Sequence, residues 1–253
     1  MKSRGLNEMI VLGIETATPV RGVGLVDEER VLGEFTIHEK RADSESLFSS
    51  LDSLLKELHL DIREMDGISI SIGPGSFTGL RVGLAAAKGF AVATETPLLS
   101  VPTLDALAHS IHSTLKQVQG QIENSKLQIC PILDARKGEV YAAFYRRKGN
   151  TGNPPKADCD TLERTSDFWV LPPHALFEKI HEKTLFIGTG VEVYGKMITD
   201  HFGEKAHLLS PNPLAPSPTI VASLGLLKLK KGEVEDVEKL EPLYIRPSQV
   251  EVG

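Results

Sequence analysis

The sequence predicts an α/β protein made of two related half-domains, each a mixed sheet with flanking helices. Strand and helix patterns alternate at the start of the chain in the order βββαβα. A weaker copy of this opening begins at residue 127, after a polar, linker-like stretch at residues 117–126. Repeated α/β units of this kind favour two half-domains. We place them at residues 1–116 and 127–253.

The first half-domain opens with a meander of three strands. Apolar or alternating runs at residues 10–15, 22–26 and 31–37 are separated by turns. Residues 44–60 then carry leucines at helical spacing, and Ser44 or Asp43 can cap this first helix. A buried strand at residues 67–72, a glycine-rich loop at 73–78 and a second helix at 79–94 complete the pattern.

The second half-domain repeats the opening hairpin less clearly. Residues 127–134 read as a strand, 135–138 as a tight turn and 139–146 as an alternating segment. Further elements are a loop at 148–166, a helix at 173–182, a strand at 185–187, a turn at 188–190 and a helix at 219–231. We expect the last helix to pack back on the first half-domain.

Composition limits the function. The formal net charge of −6 argues against independent RNA binding, because affinity for phosphates comes from clustered Lys and Arg. No apolar run approaches the ~18 residues of a membrane helix, so we expect a cytoplasmic protein without a membrane segment. Cys130 and Cys159 are expected to be reduced thiols.

The most distinctive segment is the glycine-rich run at residues 73–83, between a strand and a helix. Glycines allow close backbone approach to an anion, and a helix start offers N–H groups. Ser76, Thr78 and Arg81 are therefore candidate contacts for an anion or nucleotide. The alternative is a tight turn whose glycines serve packing. Neither the Walker pattern nor the nucleophile elbow of a serine hydrolase is present, and we assign no catalytic residue.

The second helix is apolar nearly all round, which predicts burial on more than one side. One side would pack on the sheet, and the other would face a partner or the first helix. We assign a partner-binding surface to this helix and to the first one, comprising Gly79, Gly83, Ala86, Phe90, Ser46 and Ser50. No metal site is assigned, because the scattered histidines, including His109 and His112, lack a ligand pattern.

Four segments carry a family resemblance that spans nearly the whole chain: residues 11–18, 73–83, 101–108 and 133–141. Weaker similarity to the same family lies at residues 188–190 and 242–246. With them the sequence resembles the TsaB (YeaZ) family, within the actin-like ATPase and sugar-kinase superfamily. The resemblance implies two half-domains of the actin-like, ribonuclease H-like type. It also implies a role in making N6-threonylcarbamoyladenosine at position 37 of tRNA.

In that family the transfer step is attributed to a paralogous subunit, TsaD, which works with TsaB and a small ATPase, TsaE. The metal-binding histidine pair of TsaD corresponds here to Thr103 and Leu107. The resemblance therefore implies a non-catalytic subunit that stabilises the TsaD-like subunit through its two N-terminal helices. The resemblance also implies that this chain has no cofactor of its own and that ATP or ADP binds at the interface of the complex. The chain would reach tRNA only through the complex.

Two departures from the family pattern concern turns. Glu15 and Ala17 stand where many members have Asp and Ser, and Asp43-Ser44-Glu45 stands where His-Ser-Glu is common. In the superfamily the first turn and its counterpart at residues 134–138 hold metal and phosphate, but the second turn is basic here. Competing interpretations are an active actin-fold ATPase or kinase, a glycoprotease-like enzyme, and a structural homodimer.

Overall fold

The computed structural model describes residues 8–38, 44–111, 127–148, 162–209 and 215–245. The chain divides into two compact units. The first contains the described residues up to 106 and those from 216 to 242, and the second contains the others. Each unit has a mixed sheet with helices, which confirms the predicted fold class. No helix in these ranges is long and apolar enough to cross a bilayer.

The sheet of the first unit has the strand order β3-β2-β1-β4-β5. Strands β1, β2 and β3 form the predicted antiparallel meander, and β1, β4 and β5 run parallel. β5 has no counterpart among the predicted elements. The strands are Val11–Glu15, Val20–Val26, Val31–His38, Gly67–Gly73 and Leu98–Pro102.

Helices cover both faces of this sheet. Helices α1 and α2 share a core with Leu12 and Ile14 on one face of β1. The last helix, α6, lies on the other face, where a Cβ at Gly13 would stand 2.5 Å from the Ala222 nitrogen. The close approach explains the glycine, and α6 is part of the first unit. The helices are α1 Ser44–Leu58, α2 Phe77–Thr94 and α6 Pro218–Lys230, with a 3-10 turn at Ile62–Glu64.

The sheet of the second unit has the order β10-β7-β6-β11-β12, with β8 joined to β6 and β9. Its core contains Ile132, Phe177, Phe186 and Ile198. The strands β6 to β12 are Gln128–Arg136, Glu139–Ala142, Tyr145–Arg147, Leu162–Arg164, Trp169–Leu171, Thr184–Ile187 and Ala206–Leu208. The helices are α4 Pro173–Phe177 and α5 Thr189–Phe202, followed by a 3-10 turn at Gly203–Lys205. Helix α3, Thr103–His109, spans the boundary between the units.

Three predictions for the second half are wrong. The segment 139–146 is two strands, because β7 pairs with β10 and with the end of β6, whereas β8 pairs with β9 and with the start of β6. The helix predicted at 173–182 ends at Phe177. The turn predicted at 188–190 begins α5, because Gly188, with φ 98°, turns the chain from β11 directly into the helix. The linker at 117–126 lies outside the described residues, as does most of the loop at 148–166.

Candidate functional site

The turn after β1 interlocks with the glycine-rich loop. The Ser76 amide donates a hydrogen bond to the Ala17 carbonyl oxygen at 2.7 Å. A Cβ at Gly75 would lie 2.3 Å from the same oxygen. Glycine is therefore needed in this loop because another backbone segment of the same unit packs against it.

Glu15 organises that turn from the inside. Its side chain is fully buried, and its Oε1 accepts hydrogen bonds from the Ala17 amide at 2.7 Å and the Thr18 amide at 3.1 Å. Ser71 donates its hydroxyl to Oε2. Burial raises the pKa of Glu15 to about 7, although these hydrogen bonds oppose the rise. The Glu15 carboxyl group therefore stabilises the turn after β1 from within the unit.

Ser76 satisfies two of the backbone amides in the first turn of α2. Ser76 is the N-cap, and its hydroxyl accepts from the Gly79 amide at 3.2 Å. Its carbonyl oxygen accepts from the Leu80 amide at 2.8 Å. Thr78 and Arg81 are exposed, and the Arg81 guanidinium lies 3.8 Å from the centre of the Phe77 ring. A role for Ser76, Thr78 and Arg81 in anion binding stays a prediction.

The side of α2 assigned to a partner points into the unit. Gly79, Gly83 and Ala86 are buried, and a Cβ at Gly83 would lie 2.1 Å from Thr16 Oγ1. Ser50 of α1 is also buried and donates to the Ser46 carbonyl oxygen at 2.7 Å. The expectation that these four residues, Gly79, Gly83, Ala86 and Ser50, lie on an open surface is wrong, because the β1 turn and the core occupy that side.

A different side of the same two helices is exposed. Phe48 of α1 is 46% exposed and Val92 of α2 is 69% exposed. Ala85 and Gly89 are exposed, and their spacing from Val92 puts all three residues on one side of α2. Nothing lies within 4 Å of a Cβ built on Gly89. We call Phe48, Ala85, Gly89 and Val92 the helix-pair surface. At its border are the half-buried residues Ser46 and Phe90, whose contact with a partner stays a prediction; the Phe90 ring lies 5.4 Å from that of Phe48.

Thr103 and Leu107, the positions at which the sequence resemblance expects the histidine pair of TsaD-like proteins, are core positions. Thr103 and Leu107 are both fully buried in α3, and Thr103 Oγ1 accepts a hydrogen bond from the Gly73 amide at 3.0 Å. His109 is buried at the end of that helix, and His112 lies outside the described residues. Across the described ranges, no three His, Cys, Asp or Glu side chains are grouped as a metal site.

The counterpart turn in the second unit is basic and exposed. Arg136, Lys137 and Gly138 all have positive φ, at 64°, 54° and 78°. Asp134 supports the turn by accepting from the Arg136 amide at 3.0 Å. The guanidinium of Arg136 lies 3.4 Å from the other oxygen of Asp134. The acidic group of this turn is thus paired with a cation of the same turn.

The chain matches known proteins over most of its length. The family described as TsaD, tRNA N6-adenosine threonylcarbamoyltransferase, matches residues 30–253. The chain is 29% identical to the tRNA threonylcarbamoyladenosine biosynthesis protein TsaB of Bacillus subtilis, covering 96% of each chain. It is 25% identical to TsaB of Escherichia coli, covering 94% of this chain and 95% of that one.

A solved structure shows the same fold. YeaZ from Pseudomonas aeruginosa superposes with a TM-score of 0.70 at 24% identity, covering 94% of this chain and 100% of that chain. The match to the TsaD family over residues 30–253 and the nearly full-length similarity to two TsaB proteins agree with that fold. The chain therefore belongs to the TsaD family, and within it to the TsaB (YeaZ) proteins of the actin-like ATPase superfamily.

Proposed function

We propose that the chain is a non-catalytic subunit that pairs with a TsaD-like transferase and stabilises it. The transferase would make N6-threonylcarbamoyladenosine at tRNA position 37. The observation that carries the proposal is the helix-pair surface, where Phe48 and Val92 are 46% and 69% exposed. Exposed apolar residues that adjoin one another on a folded unit mark contacts with other proteins.

The absence of catalysis is proposed from two positions. Thr103 and Leu107 correspond to the histidines that bind metal in TsaD-like proteins, and neither side chain offers an imidazole. Glu15 is fully buried and accepts three hydrogen bonds within its own unit. A carboxyl group held in this way serves the turn that it organises.

The remaining parts of the proposed complex follow from the resemblance. A TsaE-like ATPase would join the two subunits, and ATP or ADP would bind at the interface of the complex. With a net charge of −6, the chain would contact tRNA only through its partners, in the cytoplasm. In the absence of the transferase, the helix-pair surface would serve a homodimer.

Reconstitution tests the proposal. The TsaD-like and TsaE-like proteins are incubated with tRNA, ATP and threonylcarbamoyl donor, with or without this chain, and the modified nucleoside is measured by mass spectrometry. We expect product only when all three proteins are present and none from this chain alone. Product from the chain alone, or ATP hydrolysis by it above ~1 per second, would identify it as an enzyme.

A further inference from the structure

The residues that follow α6 form a strap beside α2. The Glu235 amide donates a hydrogen bond to the Leu98 carbonyl oxygen, at the start of β5, at 2.8 Å. Further along the chain, the Lys88 ammonium of α2 donates to the Glu238 carbonyl oxygen at 3.2 Å. We call residues 233–240 the strap. It runs from the start of β5 to the C-terminal half of α2.

The strap is a fixed part of the first unit. Val237 and Leu240 pack against the core that α1 and α2 share. The Ser100 hydroxyl of β5 donates a hydrogen bond to the Glu235 carboxylate. These contacts hold the strap against the unit, so the exposed side chains of the strap have a defined place beside α2.

The strap borders the helix-pair surface. Lys88, which contacts the strap, is three residues after Ala85 and four before Val92, so all three lie on adjoining parts of one side of α2. The other border of this side is formed by α1, where Phe48 contacts Phe90. The exposed residues of α2 therefore lie between Phe48 and the strap.

The border that the strap forms is acidic. Glu238 of the strap and Glu95, the C-cap of α2, are both exposed, whereas Lys88 is half-buried. Asp236 of the strap is already paired with Lys239, at 3.1 Å. The C-terminal end of a helix also carries the negative end of the helix dipole. This end of the helix-pair surface therefore favours a positive group.

We propose that the partner that binds the helix-pair surface carries Arg or Lys side chains opposite Glu95 and Glu238. The inference rests on the proposed function, because it names the chemistry of the surface by which the transferase binds this chain. An apolar centre with a polar border is the usual arrangement of protein–protein interfaces. Exposed charges at such a border mainly speed association and orient the partner.

Association kinetics test the proposal. The rate constants for binding of the full chain to the TsaD-like transferase are measured by surface plasmon resonance at about 30 mM and about 500 mM salt, because salt screens exposed charges. At low salt we expect Glu95→Lys and Glu238→Lys each to associate at least about threefold more slowly than the wild-type protein. The difference should disappear at high salt, and the dissociation rate should change little.

Glu29→Lys is the matched control, because it makes the same change of charge at an exposed glutamate in the turn between β2 and β3. It should associate at the wild-type rate. Association of Glu95→Lys and Glu238→Lys at the rate of Glu29→Lys, while the wild-type protein binds the transferase, overturns this inference and leaves the proposed function intact. Failure of the wild-type protein to bind the transferase at either salt concentration overturns both.

Discussion

The carbonyl oxygen of Thr16 occupies the space that a side chain at Gly79 would need. A Cβ at Gly79 would lie 2.0 Å from this oxygen, and one at Gly83 would lie 2.1 Å from the hydroxyl of the same residue. Two glycines one helical turn apart thus leave the space in which a single threonine packs against α2. In this structure Gly79 and Gly83 serve packing between the β1 turn and α2.

Alanine at either of these glycines should destabilise the protein. For Gly79→Ala and Gly83→Ala we expect a loss of roughly 1–3 kcal/mol in the free energy of unfolding, because the added methyl overlaps Thr16. Gly89→Ala is the matched control, since a methyl group there meets nothing within 4 Å. It should be neutral or stabilising by up to about 1 kcal/mol, the helix preference of alanine.

Urea unfolding of the three variants measures these differences. If Gly79→Ala is as stable as the wild-type protein, the turn after β1 shifts at little cost to make room for the added methyl group. That result would also show that the close contact between Thr16 and α2 does not explain the glycine.

The same helix shows where sequence reasoning stops. The sequence predicts that α2 is apolar nearly all round and buried on more than one side, from residues such as Leu80 and Ala87. The sequence does not show which side of α2 stays exposed, because the small residues Gly83, Ala86 and Gly89 look alike in sequence. The β1 turn covers Gly83 and leaves Gly89 exposed, and only the tertiary structure contains that information.

Glu15 should make stability depend on pH. Burial raises its pKa from 4.5 to about 7, so the folded state favours the protonated carboxyl group. Its contribution is fully present below pH 4.5 and is lost as the pH rises through about 7. Relative to the wild-type protein, Glu15→Gln should therefore gain roughly 2–3 kcal/mol in the free energy of unfolding between pH 5 and pH 8.

Unfolding titrations of both proteins across this pH range test the assignment. Subtracting one profile from the other removes the contributions of all other titrating groups. A difference that stays constant with pH would mean that Glu15 keeps an ordinary pKa in the folded protein.

The sequence does not predict helix α5, for a physical reason. Its first residues, with Gly188 before them, resemble a turn, and it contains the β-branched Val191 and Ile198 and a glycine at position 195. Those residues have low intrinsic helix propensity. The helix forms because Val191 and Ile198 are buried in the core of the second unit. The meander of the first unit, by contrast, was predicted from local patterns, because its turns are short.

Cys130 should be chemically inert in the folded protein. It is fully buried in β6, and burial raises the pKa of its thiol, so the reactive thiolate is not formed. In a Cys159→Ser variant we expect a thiol reagent such as Ellman's reagent to react only when denaturant is added. Rapid labelling of this variant in native buffer would contradict the burial of Cys130.

The most direct test of the account is the association of two matched variants with the TsaD-like transferase. Val92→Asp places a charge on the helix-pair surface, and Val193→Asp places one on the exposed side of α5, where the valine is 58% exposed against 69% for Val92. Both variants should remain folded by circular dichroism. We expect Val92→Asp to weaken binding at least about tenfold, because the carboxylate must be desolvated in an apolar contact, and Val193→Asp to bind like the wild-type protein. Wild-type affinity of folded Val92→Asp, measured by titration calorimetry, would contradict the claim that this surface pairs with the transferase.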